Sequence, residues 1–244
     1  MHSSNRKQLN HHQLDILRLL ARFRFGTTAL FTQSTGTTSR RYIHERLRIL
    51  TEQEYIGKRY DSSYKLLGKP AAYHLLPKGI DALKTDNVYD TKLLKLLAKD
   101  SNASDRFIRH CLSVLAASVQ LSGLYGTEHT QLQFRTRSDY AGNELFPQAL
   151  PDGYAFTENA KTKERTHYFV ECFDGTMPDS VMRKTITKHV DWYDNDNWTT
   201  EALYPTVLLL CRDERLKAKV DKWVTKILDD AWSDDVQFKT LLPK

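Results

Sequence analysis

Along residues 11–84 the apolar positions recur three times at a helical period and then switch to short extended runs. In HHQLDILRLLARFRF, Leu14, Leu17 and Ala21 share one face, Ile16 and Leu20 widen it, and Gly26 marks its end. TTALFTQSTG predicts a short second helix closed by a turn at Gly36. In TTSRRYIHERLRILTEQEYI, Thr38 or Ser39 is placed to cap a third helix, whose Ile43, Leu47 and Leu50 repeat at the helical spacing. Two strand-like runs follow, YIGKRY and AAYHLL, joined by the polar loop DSSYKLLGKP; PKGIDAL then opens a helix with proline in its first turn. Helix, helix, helix, strand, loop, strand, helix is the order of a winged helix-turn-helix.

The pattern changes after residue 90. DTKLLKLLAKDSNASDRFIRHCLSVLAASVQLSG predicts two helical stretches broken at SNASD, with Leu93, Leu96 and Leu97 on one seam. Ser104 is a candidate cap for the second stretch, which carries Phe107, Cys111, Val114, Leu115 and Ser118 along one face. Beyond it, HTQLQFRTR reads as a strand, and GYAFTE and RTHYFVECF read as a hairpin joined by the polar NAKTK. DGTMPDSVMRKTITKHVDWYDN reads as a turn and a helix, YPTVLLLCRD as a strand buried on both faces, and DERLKAKVDKWVTKIL as a final amphipathic helix. The expected fold class is α+β. A winged helix-turn-helix spans residues 1–86, a helical connector 87–125, and an α/β domain with a mixed sheet 126–244.

Composition narrows the class without naming a function. Hydrophobic residues make up 40% and charged residues 27%, as in soluble globular proteins. No unbroken apolar run approaches the roughly 18–20 residues of a membrane span, and MHSSNRKQLNHHQ has no apolar signal core, so a cytoplasmic location is expected. Cys111, Cys172 and Cys211 lie far apart in apolar runs, which argues for buried thiols rather than disulfides or a zinc site. Charge is more telling. Residues 1–100 hold 18 Lys/Arg against 9 Asp/Glu, a balance of +9, and residues 101–244 hold 18 against 21, a balance of −3. A basic front half points to a polyanion partner.

The third predicted helix gives that partner a form. Arg41, His44 and Arg48 lie opposite its apolar stripe and Arg40 stands at its start, with Glu45 at the edge. A helix fits the major groove of double-stranded DNA, and Lys65 and Lys69 in the wing are placed to reach neighbouring phosphates. The same pattern also suits a winged helix that binds protein, or a helical domain with a solvated basic face.

Glu171 sits inside YFVECF, where a charge is costly to bury. It faces either a partner at a sheet edge or a metal. Asp152 opens the preceding strand, and a turn at NAKTK brings the two acids near each other at the open end of the hairpin. Paired carboxylates suit Mg2+, which can activate water at a scissile phosphate. Alternation puts Phe169, Glu171 and Phe173 on one face and leaves Asp174 as a turn residue. The plainer alternative is an Asp-capped turn and a Glu paired with a Lys or Arg of the next helix.

LPDGYAF followed by HYFVECFDGT and a Lys-containing helix resembles the Pro-Asp…Glu-x-Lys arrangement of the restriction-endonuclease-like fold. Taken with LDILRLLARFRFGTTALFTQ, SRRYIHERLRILTEQEYI and RFIRHCLSVLAA, the chain is similar over roughly residues 12–215 to the replication-relaxation family of plasmids and integrative elements. That resemblance implies DNA binding in mobile-element replication or mobilisation, as in conjugation, and a nuclease-like second domain. The lysine of the nuclease pattern falls at Phe173 here; Lys184 or Lys188, one turn apart on the following helix, is the candidate to replace it. The sequence has no phosphate-binding Gly-x-x-x-x-Gly-Lys loop and no His-hydrophobe-His metal triplet.

The expectation is a DNA-binding mobile-element protein whose nuclease-like domain nicks or grips DNA using Mg2+. In it Asp152, Glu171, Lys184 and Lys188 are catalytic candidates, with Asp152 and Glu171 as metal ligands. The alternative is a non-catalytic replication or transcription regulator, whose second domain serves homodimer formation or the binding of other replication or mobilisation proteins.

Overall fold

The computed structural model describes residues 9–84, 91–147, 149–233 and 235–243, so the expected boundary at 86–87 lies outside the described residues. The chain divides into two units, Met1–Leu115 and Ala116–Lys244.

In the first unit, α1 (His11–Phe23) starts at a capping box. Asn10 Oδ1 accepts the Gln13 N–H at 2.9 Å, and the Gln13 side chain accepts the Asn10 N–H at 3.1 Å. The helix ends at Phe23, before Gly26, with Arg24 at a positive φ of 68°. Gly26 has a different task. It exchanges backbone hydrogen bonds with Tyr73 at 3.1 and 2.8 Å, and a Cβ there would meet the Phe31 ring at 2.2 Å. Next come α2 (Thr28–Ser34) and α3 (Arg40–Glu52). Ser39 Oγ caps α3 by accepting the Tyr42 N–H at 3.2 Å. The strands β1 (Ile56–Arg59) and β2 (Ala72–Leu75) pair antiparallel, with Ile56 opposite Leu75. Ile16, Leu17 and Leu20 of α1, Phe31 of α2 and Ile43, Leu47 and Leu50 of α3 share one core with Ile56 and Leu75. Each such burial contributes roughly 1.5–3 kcal/mol.

The wing departs from expectation. DSSYKLLGKP is not all loop: it holds a short helix, α4 (Ser62–Leu66). Asp61 caps it by accepting the Ser63 and Tyr64 N–H groups at 2.9 and 3.1 Å, and Tyr64 anchors it in a cluster with Phe25 and Ala72. One turn is too short to show a periodicity. The helices α5 (Pro77–Lys84) and α6 (Thr91–Leu97) complete the packing, and α7 (Asp105–Tyr125) runs across the division between the units. Among the described residues, α7 is long and apolar enough to cross a membrane; its Ile108, Leu115, Ala117 and Leu121 are buried within the fold.

The second unit is a mixed sheet in the order β3 (Thr130–Thr136), β4 (Gly153–Asn159), β5 (Arg165–Phe173), β6 (Thr206–Cys211), β7 (Phe238–Leu241). The first three strands are antiparallel; β6 is parallel to β5 and β7 to β6. The parallel steps are bridged by α8 (Asp179–Asp194) and α9 (Glu214–Ala231). Val207 through Cys211 are all buried, as the unbroken apolar run of a central strand requires. Phe169, Phe173, Val207 and Leu209 pack with Met182 and Ile186 of α8 and Leu216 and Val220 of α9. The edge strand β7 lies beyond the last predicted element. The layout of a winged helix followed by a mixed α/β sheet is the one the sequence predicts.

Candidate functional site

The α3 periodicity that buries Ile43, Leu47 and Leu50 turns Arg40, Arg41, His44 and Arg48 outward, and all four are exposed. They are not equivalent. Arg48 is held on its own helix, with Nε 2.9 Å and Nη2 2.6 Å from Glu45 and a further ion pair to Glu52. The same bonds hold the Glu45 carboxyl below the usual range. In the wing, Lys65 is exposed on α4, while Lys69 is half-buried over the Tyr64 ring with Asp105 at 3.8 Å.

The two acids lie at the start of β4 and inside β5. Gly153 pairs with Val170, so Asp152 follows on opposite Glu171. Both carboxylates are only 3% exposed. Asp152 completes the ladder with its side chain: Oδ2 accepts the Cys172 N–H at 2.9 Å, and Oδ1 accepts from Arg137 Nη2 at 2.7 Å. Arg137 also donates from Nε to the Pro151 carbonyl at 2.9 Å, and Tyr140 donates its O–H to the same carbonyl at 2.5 Å. The LPDG segment is therefore clamped from the end of β3.

Glu171 is closed from α8. Its Oε1 lies 2.7 Å from Lys188 Nζ and 3.0 Å from His189 Nε2. Lys188 also donates to the Ala149 carbonyl at 2.7 Å. His189 is fully buried, and its Nδ1 lies 2.9 Å from the Tyr204 hydroxyl. Burial lowers the His189 pKa, against the hydrogen bond and charge of Glu171. Burial and the Glu171 charge raise that of Tyr204. A neutral imidazole protonated at Nε2, donating to Glu171 and accepting from the Tyr204 O–H, satisfies all three groups. Lys184, one turn earlier on α8, is exposed, so Lys188 and not Lys184 reaches Glu171. Phe173 is buried in the core at 1% exposure.

Arg137, His189 and Tyr204 were not among the residues singled out from sequence. The available signal was the Lys188–His189 pair late in the α8 segment, since adjacent residues can both turn to one acid at a helix edge.

Mg2+ takes several oxygen ligands and keeps waters. Asp152 and Glu171 already face cationic donors, and Asp152 accepts on both oxygens. Among the described residues no group of three or more His, Cys, Asp or Glu side chains is arranged to hold a metal ion. In this arrangement the donor set does not fit Mg2+.

Residues 17–207 match the replication-relaxation family. The chain belongs to that family. Membership in the replication-relaxation family attaches it to DNA-associated replication. No curated protein matches the chain. Among solved structures, a mutant of Lactococcus lactis ZitR is 21% identical over 51% of this chain and 78% of its own, with a TM-score of 0.29. The restriction endonuclease FokI is 10% identical over 95% of this chain and 41% of its own, with a TM-score of 0.35. The replication-relaxation match spans α3, both acids, Lys188 and His189.

Proposed function

We propose that this replication-relaxation protein binds double-stranded DNA through α3 and the wing during cytoplasmic replication or mobilisation of a plasmid or integrative element. In this reading the second unit grips DNA or docks a partner protein or second copy, and does not cut. The observation that carries the non-cutting half is the closure of both acids. Asp152 is tied to Arg137 and the Cys172 N–H, and Glu171 to Lys188 and His189, as an interior builds ion pairs it keeps. The test is incubation of supercoiled plasmid with Mg2+ or Mn2+. Wild type should bind the plasmid and leave it supercoiled.

A competing reading, a Mg2+-dependent endodeoxyribonuclease, is favoured by one contact. Lys188 reaches Glu171 from α8, which would supply the lysine missing at Phe173. Nicking by wild type that Asp152→Ala and Glu171→Ala both abolish, with DNA binding retained, would establish that reading instead.

A further inference from the structure

The wing ends in a feature that phosphate contact does not require. Leu66 and Leu67 are adjacent at the end of α4 and are 88% and 62% exposed. They are displayed on a rigid base. Asp61 caps the helix below them, and Tyr64, only 4% exposed, roots it. The turn then closes through Leu67 N–H to Ser63 O at 3.0 Å and Lys69 N–H to Tyr64 O at 2.9 Å, with Gly68 at a φ of +61°. A disordered loop would let two leucines fold back onto the core; this scaffold prevents it.

The surroundings say what the leucines meet. Lys58 and Lys65 both place their ammonium groups near the Tyr60 ring, 5.1 and 5.7 Å from its centre, and both are exposed beside the tip. The one acid between residues 58 and 69, Asp61, is committed to capping α4. An apolar point flanked by lysines that form no ion pair among the described residues is complementary to a polyanion with an apolar interior, which describes stacked base pairs between phosphate rails.

Resting on the DNA-binding reading above, we infer that the wing tip is a wedge for the DNA minor groove. Leu66 and Leu67 press between base pairs while Lys58 and Lys65 hold the flanking phosphates. The minor groove, about 6 Å wide, admits side chains rather than a helix body. Apolar side chains pushed in from that side unstack a base step and bend the duplex, most easily at pyrimidine–purine steps.

The test uses the full chain and a duplex of about 30 base pairs with TA and CA steps. The duplex carries 2-aminopurine beside those steps and a donor–acceptor dye pair at its ends. Wild type should raise 2-aminopurine fluorescence and shorten the end-to-end distance. Leu66→Ser with Leu67→Ser should keep the wild-type melting temperature and the salt slope of binding, lose both optical signals, and bind about tenfold more weakly. Lys65→Ala should lower the salt slope and keep the unstacking signal at saturation. Wild type that binds without either signal, or a double-serine variant that unstacks as well as wild type, would overturn the wedge and leave the DNA reading standing. Absence of duplex binding by wild type would overturn both. A double-serine variant whose only change is conversion of a dimer to a monomer in sedimentation would reassign the leucines to a contact between copies.

Discussion

A carboxylate taken out of water costs several kcal/mol unless opposite charge and hydrogen bonds offset it. Glu171 has both, in Lys188 at 2.7 Å and His189 at 3.0 Å. Removing it leaves those donors facing an apolar core. Glu171→Ala should therefore lower the unfolding free energy by about 3–5 kcal/mol in urea titration. Glu171→Gln, which keeps an acceptor, should lose less. Equal, small losses for both would mean the pair is not buried as described. The histidines set the pH response. Burial lowers the pKa of His189 and, with the nearby arginines, those of His74 and His167. These groups stay neutral in the folded chain where an unfolded chain, with histidines near 6.5, takes up protons. The unfolded state then binds more protons, so stability present at pH 7 is lost as pH falls below about 6.5 towards the lowered folded values. The urea midpoint should drop between pH 7 and 5, and a flat profile would contradict the burial of His189. Glu171 was legible because it stands inside the apolar run YFVECF, and Asp152 because it opens the strand of LPDGYAF. Their partners were not, because Arg137 is 15 residues from Asp152 and His189 is 18 from Glu171, separations that only the folded sheet closes.

Helix α3 was readable as an element because cap and stripe agree: Ser39 accepts the Tyr42 N–H, and Ile43, Leu47 and Leu50 are all buried. Such agreement between local signals marks a reliable reading. One-turn α4 and the edge strand β7 offer no comparable repeat, so neither shows in the hydrophobic pattern. Ion pairing along α3 was also beyond a count of charges. Arg48 is engaged by Glu45 and Glu52, whereas Arg41 is exposed in the first turn of the helix. Arg41→Ala should weaken duplex binding and lower the slope of log K against log salt by about one. Arg48→Ala should do less, because its charge is already balanced on the helix. Glu45→Gln should tighten binding by removing an anion beside the phosphates and releasing one bond on Arg48. Fluorescence anisotropy across a salt series measures all three, and an unchanged slope in Arg41→Ala would remove α3 from the interface.

At the scale of the molecule, charge follows the division into units. Residues 1–115 carry 20 Lys/Arg against 10 Asp/Glu, a balance of +10, and residues 116–244 carry 16 against 20, a balance of −4. A basic unit is drawn to DNA from any direction, whereas an acidic one engages it only where positive side chains are concentrated. The winged-helix unit should therefore dominate affinity, with the second unit adding grip or a partner surface. Hydrogen–deuterium exchange of the full chain with and without duplex DNA tests this most directly. Slowed exchange is expected over Arg40–Glu52 and residues 58–69, with the amides of β4 and β5 around Asp152 and Glu171 unchanged. Protection confined to residues 137–188, with α3 exchanging as in the free chain, would contradict it.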